Sequence, residues 1–292
     1  MRSRVSAYCE VHLQKHTQTE RADSSSRIFL SLSQARGGGR DIKGYQMLTL
    51  RNNEPPAINA VDAIRAGDVN ALQRLLGENP LLSTARLEDD DEGKAKSQTL
   101  LHVATAWPGH FPNGAVVIAV LIEAGADPNT PVIGRHSETP LHWAASSDDV
   151  ETLDALIDAG ANIEAPGAVI GGGTPLDDAV AFGQWQAARR LVERGARTKL
   201  WHAAALGLMS RVEKNFDGST PVPGPGDVTE GFWQACHGGQ RQTAEYLLDR
   251  GAEMNWIGYN ERTPLDISQH SGAEDMVKWL RGRGARLASE LS

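Results

Sequence analysis

From about residue 57 onward the apolar residues fall in short clusters at helical spacing. Leu72, Leu75 and Leu76 stand at i, i+3 and i+4, the signature of one buried helix face. The pairs Leu156-Ile157, Leu191-Val192 and Leu247-Leu248 come a few residues before Gly160, Gly195 and Gly251. Such spacing predicts short helices, each ending in a left-handed C-cap, a conformation glycine adopts without a Cβ clash. No apolar run approaches the ~20 residues that span a bilayer.

A second marker keeps step with these clusters. Thr139-Pro140-Leu141-His142-Trp143-Ala144 returns as Thr174-Pro175-Leu176-Asp177-Asp178-Ala179 and as Thr263-Pro264-Leu265-Asp266-Ile267-Ser268, with a weaker copy at Thr99-Leu100-Leu101-His102-Val103-Ala104. The dipeptide Gly-Ala follows in register at Gly125, Gly160, Gly195, Gly251 and Gly284, spaced 35, 35 and 33 residues where the units are regular. Thr caps a helix, and Pro suits the first helical position, where no N–H is needed. Leu and a small Ala then face the neighbouring unit. One such unit cannot bury its own apolar face, so several must stack.

Thr-Pro-Leu-His-x-Ala followed about 20 residues later by Gly-Ala-Asp resembles the ankyrin repeat. The resemblance covers about residues 57 to 288. It implies an all-α solenoid of about seven helix–turn–helix units joined by short hairpin loops. It also implies a protein-interaction module, whether scaffold, adaptor or inhibitor, that grips a partner through its concave face and hairpin tips. The units run from Ile58, Thr99, Thr139, Thr174, near Thr198, Phe232 and Thr263. The first lacks Thr-Pro-Leu, and the last ends in Arg281, Arg283 and Arg286, as befits terminal caps. The resemblance further implies that His102 and His142 bond between adjacent repeats; His202 reads one place off that register.

The departures locate candidate function. Trp107-Pro108-Gly109-His110-Phe111-Pro112-Asn113-Gly114 interrupts the second repeat, and its prolines and glycines forbid a helix. Its two aromatic rings either anchor a partner or fold back onto the stack. The run Ala165 to Gly173 holds four glycines. Without a preceding buried strand or a Gly-Lys-Ser/Thr it reads as a tight hairpin needing positive φ, not a phosphate loop. Thr198 comes only 24 residues after Thr174, so the hairpin finger between them is minimal or missing. Asp217 to Asp227 is a loop by composition, either a joint between two stacks or a surface insertion. Glu88-Asp89-Asp90-Asp91-Glu92 lacks the spacing of a calcium loop and reads as solvated.

No HExxH, paired Cys/His spacing or Gly-x-Ser-x-Gly elbow appears, so the expectation is no metal, no cofactor and no catalytic site. Cys236 beside His237 falls at the second alanine of an inner helix and reads as a small buried hydrophobe. The composition is 40% hydrophobic and 23% charged with a net charge of −8. That balance opposes nucleic-acid binding, which needs a basic stripe. Two cysteines, Cys9 and Cys236, suit a reducing compartment. With no sorting or membrane signal, a cytoplasmic monomer is expected. Residues 1–46 carry eight Lys/Arg against four Asp/Glu without apolar periodicity; they read as a disordered tail, or translation begins at Met47.

By register, the positions expected to meet a protein partner are Trp107, Arg135, His136, Ser146, Ser147, Phe182, His237, Tyr259, Asn260 and His270, with Phe111 added from the insertion. Trp, Tyr, Phe and Arg dominate binding energies. The alternatives are an enzyme or small-ligand protein with a pocket under the 107–114 loop, and a purely structural module.

Overall fold

The computed structural model describes residues 48–88, 97–218 and 221–291. The expected tail at 1–46, Cys9 and the acidic run from Asp89 to Glu92 lie outside the described residues. Helices come in consecutive pairs. They are α1 (Pro55–Ala66) with α2 (Val69–Glu78), α3 (Leu100–Thr105) with α4 (Gly114–Glu123), and α5 (Pro140–Ser146) with α6 (Val150–Asp158). Then follow α7 (Pro175–Ala181) with α8 (Trp185–Glu193), and α9 (Leu200–Leu206) with α10 (Met209–Lys214). The series closes with α11 (Pro225–His237) and α12 (Arg241–Leu248), then α13 (Pro264–His270) and α14 (Glu274–Gly282). First helices pack on first helices and second on second along the series. This is the all-α repeat stack expected from the periodicity.

The repeated residues hold it together as their chemistry requires. Pro140, Pro175 and Pro264 open their helices. Leu101, Leu141, Leu176 and Leu265 are fully buried, each contributing about 1.5–3 kcal/mol by leaving water. Ala144 and Ala179 are equally buried; their small side chains let neighbouring helices approach. Gly160, Gly195 and Gly251 carry φ of 90°, 102° and 90°, the left-handed caps anticipated.

The fourth residue of the motif staples units together. In His102 the Nδ1 accepts the Thr99 backbone N–H at 3.2 Å, which leaves Nε2 to donate to Glu138 O at 3.1 Å in the next unit. His142 repeats this, accepting from Thr139 N at 3.0 Å and donating to Gly173 O at 3.4 Å. His202 was expected one place off register, and the structure corrects this. The helix is capped by Lys199, not Thr198, and Lys199 N donates to His202 Nδ1 at 3.1 Å. Counted from the true cap, His202 occupies the same position as His102 and His142.

Two further expectations change. Pro225, Gly226 and Asp227, read as loop, form the first turn of α11, where Gly224 N donates to Asp227 at 2.9 Å. A joint near 217–227 would separate two cores, yet Leu200, Ala203 and Val212 before it share one cluster with Phe232, Trp233 and Ala235 after it. The seam lies earlier, at α9. Ala205 and Leu206 belong to the N-terminal cluster, while Leu200, Ala203 and Ala204 belong to the C-terminal one. Periodicity also concealed a small sheet. β1 (Thr49–Arg51) pairs in parallel with β2 (Arg86–Glu88), which pairs antiparallel with β3 (Ser97–Thr99). Glu88, read as part of a solvated loop, is exposed but sits in a strand. Arg86 ties the sheet to the next finger, donating to Ser97 O at 3.3 Å and Pro131 O at 3.1 Å.

Candidate partner-binding surface

Each unit offers two irregular segments, the turn between its helices and the finger joining it to the next unit. The turns line one edge of the stack. Asn113 Nδ2 donates to Gly67 O at 2.9 Å, His110 N to Asp149 Oδ2 at 2.7 Å, and Ala187 N to Asp148 Oδ1 at 2.7 Å, linking the first four units. The fingers line the opposite edge. Asn162 N donates to Asn129 Oδ1 at 2.7 Å, and Arg197 N to Glu164 Oε1 at 2.7 Å.

The expected contact residues divide between these edges. Trp107, Phe111, Ser146, Ser147, Phe182, His237 and His270 lie at or beside turns, whereas Arg135, His136, Tyr259 and Asn260 lie on fingers. Trp107, Arg135, Tyr259, Asn260 and His270 are exposed, and Phe111, His136, Ser146 and Phe182 are half-buried. Ser147 and His237 are buried, with 7% and 8% of their surface accessible. Ser147 instead donates to Thr105 O at 3.3 Å, a contact within the stack.

The 107–114 loop is held from below. A Cβ on Gly67 would lie 2.1 Å from Pro112 O, and one on Gly109 would lie 2.8 Å from the Ser147 Cβ. Protein therefore fills the space beneath the loop, where the small-ligand alternative needed a pocket. Open hollows of about 450 and 310 Å³ lie elsewhere, between α1 and α2 and between the fingers at Pro131 and Pro166.

The fingers carry apolar side chains that stay substantially exposed. Ile133, Ile170, Ile257 and Tyr259 are 54%, 39%, 50% and 48% exposed. The Gly-rich finger is the tight hairpin expected: Gly167, Gly171 and Gly172 have φ of 127°, 61° and 69°. It rests on the preceding finger so closely that a Cβ on Gly167 would lie 2.2 Å from Ser137 O.

Between the edges runs a chain of rings that sequence spacing did not reveal. Trp185 meets His237 edge-on at 5.0 Å, His237 meets Trp233 at 5.6 Å, Trp233 meets Tyr259 at 5.4 Å, and Tyr259 meets Trp256 at 6.1 Å. These residues come from three units, α8, α11 and the last finger, so only folding brings them together.

Several buried titratable groups have structural roles. Asp177 accepts Thr174 N at 2.8 Å and Lys199 Nζ at 2.5 Å, with His202 Nε2 3.6 Å away. Burial opposes its charge, but these donors hold the carboxyl well below its usual range. Burial keeps His142 neutral, at about 4. The Cys236 thiol is fully buried and pushed far above its usual value, as expected of a small hydrophobe rather than a nucleophile. Among the described residues no group of three or more His, Cys, Asp or Glu side chains could hold a metal ion, and no helix is long and apolar enough to cross a membrane.

The model of the ankyrin-repeat family, described as ankyrin repeats in three copies, matches residues 59–167 and 113–200. The chain belongs to the ankyrin-repeat family. It is also similar to the RelA-associated inhibitor of Mus musculus, at 31% identity over 108 residues. That match covers 37% of this ankyrin-repeat chain and 11% of the relative, so the chain spans only about a tenth of the relative's length.

Proposed function

We propose that this ankyrin-repeat protein is an interaction module that holds a partner protein along its fingers and the inner-helix face beneath them. The observation that carries the reading is the row of exposed apolar tips, Ile133, Ile170, Ile257 and Tyr259. The part of each side chain that stays exposed gains nothing in the isolated chain, and exposed apolar surface rimmed by polar residues marks interaction sites. Half-buried aromatic residues behind the tips supply rigid contact area at low entropic cost. The similarity to a protein named as an inhibitor agrees with a binding role, inhibitor or adaptor, rather than a catalytic one.

Photocrosslinking tests this. A photoreactive amino acid placed at Ile133, Ile170 or Ile257 is expected to capture one recurring protein, whereas the same group at Glu151, exposed at the start of α6 on the turn edge, is expected to capture none. Equal capture from all four positions, or turnover of a substrate by the purified chain, would overturn the proposal.

A further inference from the structure

We propose that the corner formed by Trp233, His237, Tyr259, Arg262 and His270 binds a linear segment of a partner protein through an Asp or Glu side chain flanked by apolar residues. The inference deepens the partner-binding reading and rests on it.

Arg262 is the centre of the argument. Its backbone is clamped, because Trp233 Nε1 and Gly258 N each donate to Arg262 O at 2.9 Å. Arg262 is half-buried, and its guanidinium makes no hydrogen bond or close ion pair among the described residues, although its charge favours the ionised Asp266 nearby. A guanidinium presents five donors in a rigid fork matched to a carboxylate, and here the fork is empty. The neighbouring carboxylates are committed elsewhere. Asp266 accepts Thr263 N at 3.0 Å, Thr263 Oγ1 at 2.7 Å and Ala288 N at 2.9 Å, and Glu230 accepts the Tyr259 hydroxyl.

Two histidines feel the same charge. Burial, with the fields of His270 and Arg262, holds His237 at about 4, and burial with Arg262 lowers His270. No carboxylate offsets either effect, although the whole protein carries a net charge of −8. His237 Nδ1 and Gln234 Oε1, three residues apart on α11, are buried without hydrogen-bond partners, and residues at that spacing share a helix face. The rings of Trp233, Trp256 and Tyr259 stand beside the Arg262 backbone, where Trp233 Nε1 donates to Arg262 O, and offer apolar contact area. One cation among aromatic rings fits one carboxylate with apolar neighbours. A phosphate polymer would meet a repulsive net charge and lack the several cations it needs.

The test is a selection of random peptides displayed on phage against the intact chain, followed by anisotropy titration of the winners. The expected winners carry Asp or Glu beside an aromatic or branched residue. Arg262→Ala should weaken them about tenfold or more, Arg262→Lys should restore part of the loss, and helicity and melting temperature should not change, because the side chain makes no internal bond. Winners without an acidic consensus, affinities indifferent to Arg262→Ala, an oligothymidylate that displaces them, or no winners at all would overturn the inference. If the crosslinking at Ile133, Ile170 and Ile257 still captures one protein, only this subsite falls; if that also fails, the broader reading falls with it.

Discussion

Asp178 sets the sharpest prediction. Its side chain is completely buried in α7, beneath the glycine-rich finger. Oδ1 accepts Ile170 N at 3.3 Å, and Oδ2 is buried with no hydrogen-bond partner. Burial, reinforced by the nearby Glu138, pushes the carboxyl from its ordinary 3.8 up to about 8. The folded state therefore keeps a proton that the unfolded chain releases near pH 4. Its contribution is fully present below the ordinary carboxyl value and is lost as pH rises toward 8. The slope is about 1.4 kcal/mol per pH unit, so four units amount to roughly 6 kcal/mol as an upper limit. Asp178→Asn keeps the shape but removes the ionisation. The variant should match the parent near pH 4 and exceed it increasingly up to about pH 8, where the difference levels off. Urea midpoints of both proteins at about pH 5, 7 and 9 measure this, and taking the difference cancels His142, His202 and other shared titrations. A difference that changes by less than about 1 kcal/mol across that range would refute the burial of a neutral acid here.

Other predictions follow the same logic. His142 is held at about 4 against an ordinary 6.5, so it gives stability above 6.5 that is lost as pH falls toward 4; His142→Asn should flatten that part of the melting curve. Gly238→Ala would place a Cβ 1.9 Å from Ala205 O, and since neither backbone can yield, denaturation should report a loss of more than about 2 kcal/mol. Gly226→Ala, in the same helix with nothing within 4 Å, should gain up to about 1 kcal/mol. Replacing both Trp107 and Phe111 by alanine tests whether the partner also reaches the turn edge: a lower crosslinking yield with helicity kept extends the interface there, an unchanged yield confines it to the fingers, and a large fall in melting temperature shows that both rings serve packing.

The repeat architecture was legible because it is written locally and many times. Each Thr-Pro-Leu sets a cap, a helix start and a buried contact within a few residues, so one misread copy hardly matters. The exceptions lay where a residue's role depends on a distant partner. His202 was misplaced because Lys199 replaces the capping threonine, and only its bond to His202 Nδ1 shows that the register is kept. Three-residue strands such as Thr49–Arg51 carry no periodic signal; they exist because they pair with one another.

The candidate surface divides the same way. Repeat register assigned Tyr259, Asn260 and His270 to positions that the fold leaves exposed, and equally assigned His237 to a position that neighbouring rings bury. Sequence by itself determined the repeating helix pairs, the caps that carry Thr-Pro-Leu and the order of the units, because those depend on spacings within one unit. Tertiary structure alone decided that Trp185, Trp233, Trp256 and Tyr259 join one chain of rings through His237 and that the Arg262 guanidinium makes no hydrogen bond or close ion pair among the described residues. Those facts depend on which side chains from separate units come close and on which carboxylates are already engaged, and no spacing along the chain encodes either.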